Sequence, residues 1–268
     1  MKVILDGKEV DAETGRTILE VARANGVDIP TLCHVPALEP AAMCRLCTVE
    51  LIEGRRSRLV TACNFPLRSE AEIKTDTPRL RQGRKVLIEL LHTRCPDSAV
   101  LKGLAERYGA DLNRFPDDNK ECVVCGLCVR VCERIGADVL ALSGRGVEIR
   151  VNTSFGRTAR HCIGCGACAQ ICPVEKIQIR DENGQRIVIV CGQEASRIPL
   201  RRCASCGKPF GPVVNLSLVM ERAGEAQVPA FNLLVCPACS RRNHARRLAE
   251  RHFEQYEFEA APAAGEVE

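Results

Sequence analysis

The sequence contains one cysteine run twice, first as Cys122-Val-Val-Cys125-Gly-Leu-Cys128-Val-Arg-Val-Cys132 and later as Cys162-Ile-Gly-Cys165-Gly-Ala-Cys168-Ala-Gln-Ile-Cys172-Pro173. Two residues between consecutive cysteines let their thiolates curl around one polynuclear metal cluster. The glycines Gly126, Gly164 and Gly166 allow backbone amides to approach such a cluster closely. Zinc knuckles and a disulfide framework are the alternatives, but the duplicated spacing favours clusters.

This run resembles the ligand pattern of bacterial-type [4Fe-4S] ferredoxins, in which three closely spaced thiolates hold one cluster and the fourth cysteine ligates the other. The resemblance implies a crossed assignment. The ligands of the first [4Fe-4S] cluster are then Cys122, Cys125, Cys128 and Cys172, and those of the second are Cys132, Cys162, Cys165 and Cys168. Only the second run ends in proline, which is not a ligand. We predict a two-cluster ferredoxin domain over residues 116–190.

The N-terminal segment, residues 1–76, has strand and helix signals of its own. Residues 3–10 place two apolar runs around an Asp-Gly turn, which predicts a hairpin. A capping box at residues 17–20 predicts the start of a helix, with Gly26 as its stop. Further strands are predicted near residues 48–52, 59–61 and 72–74. A hairpin, a helix and later strands indicate a β-grasp domain.

This segment also carries four cysteines, with ten residues between the first two. They are Cys33, Cys44, Cys47 and Cys63. The spacing is longer than the four residues of plant-type ferredoxins. It is similar to that of the iron–sulfur subunit of respiratory NADH:quinone oxidoreductase (complex I) and its hydrogenase relatives. The resemblance implies one [2Fe-2S] cluster, and a zinc site on the same thiolates is the alternative.

A helical linker is predicted for residues 77–115, with Pro78 in its first turn. Members of the complex I superfamily often bind an additional [4Fe-4S] cluster here through one histidine and three cysteines. This chain offers His92 and Cys95, two residues apart, and no other cysteine before Cys122. We therefore predict an incomplete site with no cluster and Cys95 as a free thiol. Without a cluster here, the chain of electron-transfer centres would be interrupted, and the [2Fe-2S] domain would be a side branch of the electron path or a mobile shuttle.

A third module, residues 197–252, carries two Cys-x2-Cys knuckles. Its cysteines are Cys203, Cys206, Cys236 and Cys239. Four thiolates in paired knuckles suit a structural Zn²⁺ in a zinc-ribbon-like module. Mononuclear iron in a rubredoxin-like site is the main alternative, and another cluster is a third. Rubredoxin cores are aromatic, whereas this segment has only Phe210 and Phe231. Residues 253–268 are predicted to be a disordered tail.

Arginines gather around this module, at residues 201–202 and 241–247. Clustered cations can bind phosphate, so nucleic acid is one conceivable partner. Residues 241–250 have an amphipathic helical pattern, which favours a solvated or partner-facing basic surface without nucleic acid. Cys191 ends a strand-like apolar run at residues 186–191 and is predicted to be a buried thiol.

The composition fits small modules stabilised by metal. The 268 residues are only 3% aromatic and include no Trp, so a large apolar core is not expected. The predicted class is α+β. We find no signal peptide and no apolar run near the length of a membrane span, and all ligand thiols must stay reduced. These features predict a cytoplasmic protein with no direct membrane span.

Taken in order, the motifs of residues 1–180 resemble the small iron–sulfur subunit of the diaphorase module of NAD(P)-linked and electron-bifurcating hydrogenases, and the N-terminal part of the large complex I iron–sulfur subunit. The resemblance implies an electron relay between an NAD(P)H-linked flavoprotein subunit and a hydrogenase catalytic subunit, with a soluble ferredoxin as a further partner. The alternatives are a relay for an NAD-linked formate dehydrogenase or a complex I-like enzyme, and, in another class, a redox-sensing adaptor.

No catalytic residues are predicted. Residues 164–169 formally match a dinucleotide-binding fingerprint, but two of them are predicted cluster ligands and no βαβ unit surrounds them. We therefore expect no flavin or NAD on this chain. The expected cofactors are one [2Fe-2S] cluster, two [4Fe-4S] clusters and one Zn²⁺, and the chain alone is expected to be non-catalytic.

Overall fold

The computed structural model describes residues 1–212 and 234–255, with only the backbone for 250–255. The chain forms two compact units, Met1–Ile198 and Pro199–Glu268. In the part of the chain that the structure describes, every helix is too short or too polar to cross a bilayer.

The first unit begins with a five-stranded sheet of strand order β2-β1-β5-β3-β4. The strands are β1 (Lys2–Leu5), β2 (Lys8–Asp11), β3 (Thr48–Glu53), β4 (Arg56–Thr61) and β5 (Glu72–Lys74). Strand β1 pairs antiparallel with β2 and parallel with β5, while β3 pairs antiparallel with β4 and β5. The predicted hairpin and the three predicted later strands all form.

Helix α1 (Ile18–Ala24) covers this sheet. Its buried face, Ile18, Leu19, Val21 and Ala22, belongs to the same core as the inward-facing residues of β1, β3 and β5. The predicted capping box forms, since the Thr17 hydroxyl accepts from the Glu20 amide and the Glu20 carboxylate accepts from the Thr17 amide. The helix ends just before the predicted stop at Gly26.

The linker is helical, as predicted, and contains two helices. They are α2 (Pro78–Arg94) and α3 (Ala99–Tyr108). The Thr77 and Ser98 hydroxyls cap their N-termini, and Gly109 ends α3 in the left-handed conformation. Their buried side chains share one apolar cluster with part of the N-terminal cysteine loop.

The duplicated cysteine runs each lead into a short helix. The elements that follow the linker are α4 (Leu127–Ile135), β6 (Leu140–Ser143), β7 (Arg150–Thr153), α5 (Ala167–Gln170), β8 (Ile177–Glu182), β9 (Gln185–Val190) and β10 (Gln193–Arg202). Strands β6 and β7 form a hairpin, and β8, β9 and β10 are successive neighbours in another sheet. Together these elements enclose a third apolar cluster that includes several of the cysteines.

The second unit contains strand β11 (Pro209–Pro212), paired with residues 200–202 of β10, and helix α6 (Pro237–Gln255). Helix α6 includes the predicted amphipathic segment 241–250, and the side chains described there are exposed. It also includes the first three residues of the predicted disordered tail. Phe231 and the rest of that tail, residues 256–268, lie outside the described residues.

Candidate metal centres

Three of the four N-terminal cysteines lie between α1 and β3, and the fourth follows β4. Cys33, Cys44, Cys47 and Cys63 each expose 5% or less of their surface. Their thiols interact in two pairs, Cys33 with Cys44 and Cys47 with Cys63. Two thiol pairs facing one another fit a centre with two irons, each held by two thiolates.

Hydrogen bonding makes one member of each pair the better anion. The bond from the Cys44 thiol is the largest cause that lowers the pKa of Cys33 to about 6, and the bond from Cys63 lowers the pKa of Cys47 to about 7. The donors have raised pKa values for the same reason. The loop therefore favours the thiolate form, which binds iron, at Cys33 and Cys47.

The duplicated runs fold alike. Gly126 and Gly166 precede helices α4 and α5 with positive φ values of 70° and 78°. Two residues before each glycine, Val124 and Gly164 also have positive φ. This left-handed backbone turns successive amides towards the cysteines, and the Val124 amide donates to Cys122 Sγ over 3.3 Å. A non-glycine residue at such a φ marks a position that its surroundings constrain.

The structure brings the predicted first [4Fe-4S] set together across the two runs. Cys122, Cys125 and Cys128 are buried, and Cys172 from the second run is close enough to influence Cys125 and Cys128 electrostatically. Burial is the main cause that raises the pKa of Cys125 to about 12. Cluster iron would offset this desolvation by binding the thiolates directly.

The predicted second [4Fe-4S] set lines one cavity. Its walls include all four cysteines together with apolar side chains of α4 and of the later strands. These cysteines are Cys132, Cys162, Cys165 and Cys168. They are more accessible than the first set, and Cys165 is exposed. The crossed assignment itself stays a prediction.

Arg130 of helix α4 connects the N-terminal cysteine loop to the first cysteine run. Arg130 of α4 donates to the carbonyls of Cys33 and Glu39 over 2.7 and 2.5 Å. A Cβ atom added to Gly126 would lie 2.7 Å from Met43 Sδ, so the loop and the start of α4 are in direct contact. The interpretation of the N-terminal domain as a mobile shuttle requires these contacts to break.

Helix α2 bridges the same two regions. Near its start, the buried Arg84 donates to the carbonyls of Leu46 and Thr48 beside the N-terminal cysteines. At its end, Arg94 donates to the carbonyls of Cys122 and Ile149. One rigid helix therefore positions the backbone of both candidate centres.

His92 and Cys95, the remains of the family's additional site, are both buried. His92 Nδ1 has no hydrogen-bond partner among the described residues. Burial raises the pKa of Cys95 to about 12, so it remains a neutral thiol.

The C-terminal cysteines form the most compact set. The ligand atoms of Cys203, Cys206, Cys236 and Cys239 all lie within 4.8 Å of one another, and 3.9 Å separates Cys206 Sγ from Cys236 Sγ. Four thiolates around one ion at a metal–sulfur distance of about 2.3 Å would be ~3.8 Å apart. The Cys236 amide donates to Cys203 Sγ, and this bond is the main cause of the lowered pKa of Cys203, about 6.

Sequence reasoning missed the role of Cys191. The strand pattern predicts a buried thiol, but Cys191 is only half-buried and lies in the same packed cluster as Cys122. The Cys191 side chain is the largest cause that lowers the pKa of Cys122 to about 6. The position of Cys191 at the end of an apolar run gives no signal of this contact, because it depends on how the later strands fold back on the first run.

Two domain families match the chain. Residues 1–78 match the 2Fe-2S iron-sulfur cluster binding domain, and residues 159–175 match the 4Fe-4S binding domain. The chain therefore contains both kinds of iron–sulfur domain in a mixed helix and sheet fold. The second match covers the whole of the second cysteine run.

The chain is similar to subunits of larger redox enzymes. It is 29% identical over 185 residues to the mitochondrial NADH-ubiquinone oxidoreductase 78 kDa subunit of Candida albicans, covering 59% of this chain and 25% of that protein. It is 30% identical over 188 residues to NADP-reducing hydrogenase subunit HndD of Solidesulfovibrio fructosivorans, covering 58% and 32%. The chain thus spans between about a quarter and a third of the length of these two curated relatives.

A solved structure matches a larger share of this chain, and of its own length, than the two curated relatives do. A chain in the crystal structure of NAD⁺-reducing [NiFe]-hydrogenase in the H₂-reduced state superposes with a TM-score of 0.55 at 28% identity. The alignment covers 65% of this chain and 85% of the other.

Proposed function

We propose that this chain, as a relative of the iron–sulfur subunits of NAD(P)-linked hydrogenases and of NADH:quinone oxidoreductase, is an electron-relay subunit. It would conduct electrons between an NAD(P)H-linked flavoprotein subunit and a hydrogenase catalytic subunit, with a soluble ferredoxin as a further partner. The contact between the N-terminal cysteine loop and helix α4 carries this proposal, because it makes two candidate centres neighbours within one compact unit.

The proposed domains are those of the sequence prediction, 1–76, 77–115, 116–190 and 197–252. Three sets of cysteines would hold one [2Fe-2S] and two [4Fe-4S] clusters, in the assignment given above. These clusters would supply one-electron exchange, and the protein sets their spacing and surroundings. The N-terminal set and three of the four cysteines of the first set are buried, whereas the exposed Cys165 brings the second set to the surface, where a redox partner can approach.

A structural Zn²⁺ at Cys203, Cys206, Cys236 and Cys239 completes the proposal. The mutual distances of at most 4.8 Å among all four ligand atoms support one mononuclear ion, since in a [4Fe-4S] cluster each thiolate would bind a different iron and the sulfurs would lie farther apart. Mononuclear iron has the same ligand geometry and remains the alternative. The Arg242 guanidinium donates to Cys239 Sγ, which stabilises a site with four thiolate charges.

A hydrogenase is favoured as the terminal partner because the superposed chain comes from a hydrogenase and most of its length is matched. The proposed cellular location is the cytoplasm, where thiol ligands stay reduced. The chain would make and break no substrate bonds, so its contribution is electron conduction alone.

The first test is the content of iron, acid-labile sulfide and zinc in anaerobically purified protein. The proposal requires about 10 iron, about 10 sulfide and about one zinc per chain. About 11 iron without zinc would indicate that the C-terminal module binds iron in place of zinc. About 14 iron would mean that His92 and Cys95 belong to a filled site. Absence of sulfide after reconstitution would refute the relay.

The second test addresses the partners. A tagged chain is isolated with its native complex, and the reduction of its clusters by NADH and NADPH is followed by electron paramagnetic resonance. We expect a flavin-containing subunit in the complex and reduction within the time of catalytic turnover. A complex with molybdenum or tungsten in place of nickel would indicate formate dehydrogenase. Salt-sensitive nucleic-acid binding without cluster reduction would favour the adaptor.

A further inference from the structure

Cys191 occupies an unusual position in a turn. With Gly192 it forms the two-residue connection between β9 and β10, and both residues have positive φ, 47° and 77°. Such connections favour Asn-Gly because both positions are left-handed. The preceding hairpin, between β8 and β9, has that pair, Asn183 and Gly184, at nearly the same angles. A cysteine at this φ is strained, which calls for a reason outside the turn.

The turn lies against the first cysteine run. The Cys191 amide donates to the Lys176 carbonyl over 3.0 Å, which ties the turn to the segment after Cys172. The turn also lies close to the residue before Cys122, since a Cβ atom added to Gly192 would lie 2.9 Å from Glu121 Oε2. The backbone therefore holds Cys191 between the two chain segments that supply the first [4Fe-4S] set.

The Cys191 side chain points into that set. Its thiol is close enough to Cys122, Cys128 and Cys172 to interact electrostatically with all three. All four residues belong to one packed cluster. Four other cysteines already satisfy a [4Fe-4S] cluster, so the fifth thiol is left with a proton to donate.

We propose that Cys191 is a positioning residue whose S–H group donates a hydrogen bond to Cys122 Sγ and thereby raises the reduction potential of the first [4Fe-4S] cluster. The proposal rests on the ligand assignment of the proposed function. A hydrogen bond to a ligating sulfur withdraws negative charge from the cluster, so the more negative, reduced form is stabilised. No bond is formed or broken and the proton stays on Cys191.

The test uses three variants of the full chain, purified with its clusters. Cys191→Gly removes the donor and suits the left-handed turn, so the fold is retained. Cys191→Ser keeps a donor at the same atom position. Cys95→Ala is the matched control, because Cys95 is a second non-ligand thiol near this set and its described hydrogen bonds are made by its backbone. Each variant is titrated potentiometrically and followed by electron paramagnetic resonance.

In Cys191→Gly, we expect the ratio of reduced to oxidised first cluster at a fixed potential to fall about fivefold, the effect of one hydrogen bond. A tenfold fall would be ~59 mV for a one-electron couple. Cys191→Ser should change the reduction potential of the first cluster by less than Cys191→Gly does, and Cys95→Ala should leave it unchanged. Iron and sulfide contents should equal those of the parent chain in all three.

The other outcomes overturn the proposal in distinct ways. Full clusters with an unchanged potential in Cys191→Gly would mean that the thiol serves only the turn. Loss of about four iron in that variant would make Cys191 a ligand. A parent chain without the first cluster would refute the ligand assignment itself, and this is seen before any variant is compared.

Discussion

Replacing Arg130 tests whether the N-terminal cysteine loop is fixed to helix α4. The guanidinium donates to two carbonyls of that loop, Cys33 over 2.7 Å and Glu39 over 2.5 Å. Methionine has a similar length and no donor. A hydrogen bond from a charged group contributes roughly 1.5–3 kcal/mol, and an exposed one less, so Arg130→Met should weaken the contact by about 2–4 kcal/mol.

The assay is amide hydrogen exchange at Leu38, whose N–H donates to the Val35 carbonyl between the two loop contacts. If opening of the loop controls this exchange, the lost contact should accelerate it by about 30- to 700-fold, since each 1.4 kcal/mol is a factor of ten. Arg130→Lys, which keeps the charge but only a single donor group, should show a smaller acceleration.

Arg134→Met is the control, because Arg134 lies one turn further along α4 and is exposed. It should leave exchange at Leu38 unchanged. Equal exchange in Arg130→Met and the parent chain would refute the reasoning and restore the mobile-shuttle interpretation. Equal acceleration in both methionine variants would attribute the effect to helix α4 in general.

Three further predictions concern the cysteines. Cys172→Ser should damage the first [4Fe-4S] cluster and Cys132→Ser the second, as seen in their separate magnetic resonance signals; the reverse result would exclude the crossed assignment. Burial raises the pKa of Cys95 to about 12, so on the order of one thiol in 10⁴ is ionised at pH 8. The rate of its alkylation by iodoacetamide should rise about tenfold per pH unit and become fast only on unfolding. Alkylation of the native protein at the rate of a free thiol at pH 8 would contradict this. Cys203→Ser should release one metal ion per chain and leave about 10 iron; loss of four iron would identify a cluster there.

The local features of the fold could be predicted from the sequence because their causes are local. The Asp-Gly turn, the capping box at Thr17 and the strand patterns each act within a few residues, and each forms as expected. The β6–β7 hairpin was not predicted, since its four-residue strands are too short to establish an alternating pattern. Helix α3 was covered only by the general prediction of a helical linker.

The contacts between centres could not be predicted. Arg130 and Cys33 are 97 residues apart, and a bond from a side chain to a distant carbonyl leaves no periodic trace in the sequence. Cys191 shows the same difficulty, because its strand pattern indicates only its burial. The cysteine spacing and the ferredoxin resemblance predict which residues share a centre, whereas the arrangement of the centres depends on how α2 and α4 pack.

The burial of the cysteine sets and the position of Cys191 have opposing effects on the relay. The reduced form of a cluster carries more negative charge, so desolvation disfavours it, and burial alone would make the first set harder to reduce than the second, which includes the exposed Cys165. The proposed hydrogen bond from Cys191 would act on the first set and in the opposite direction. By offsetting part of the desolvation, it would bring the two potentials closer together, and nearly equal potentials would let electrons pass in either direction between the proposed partners.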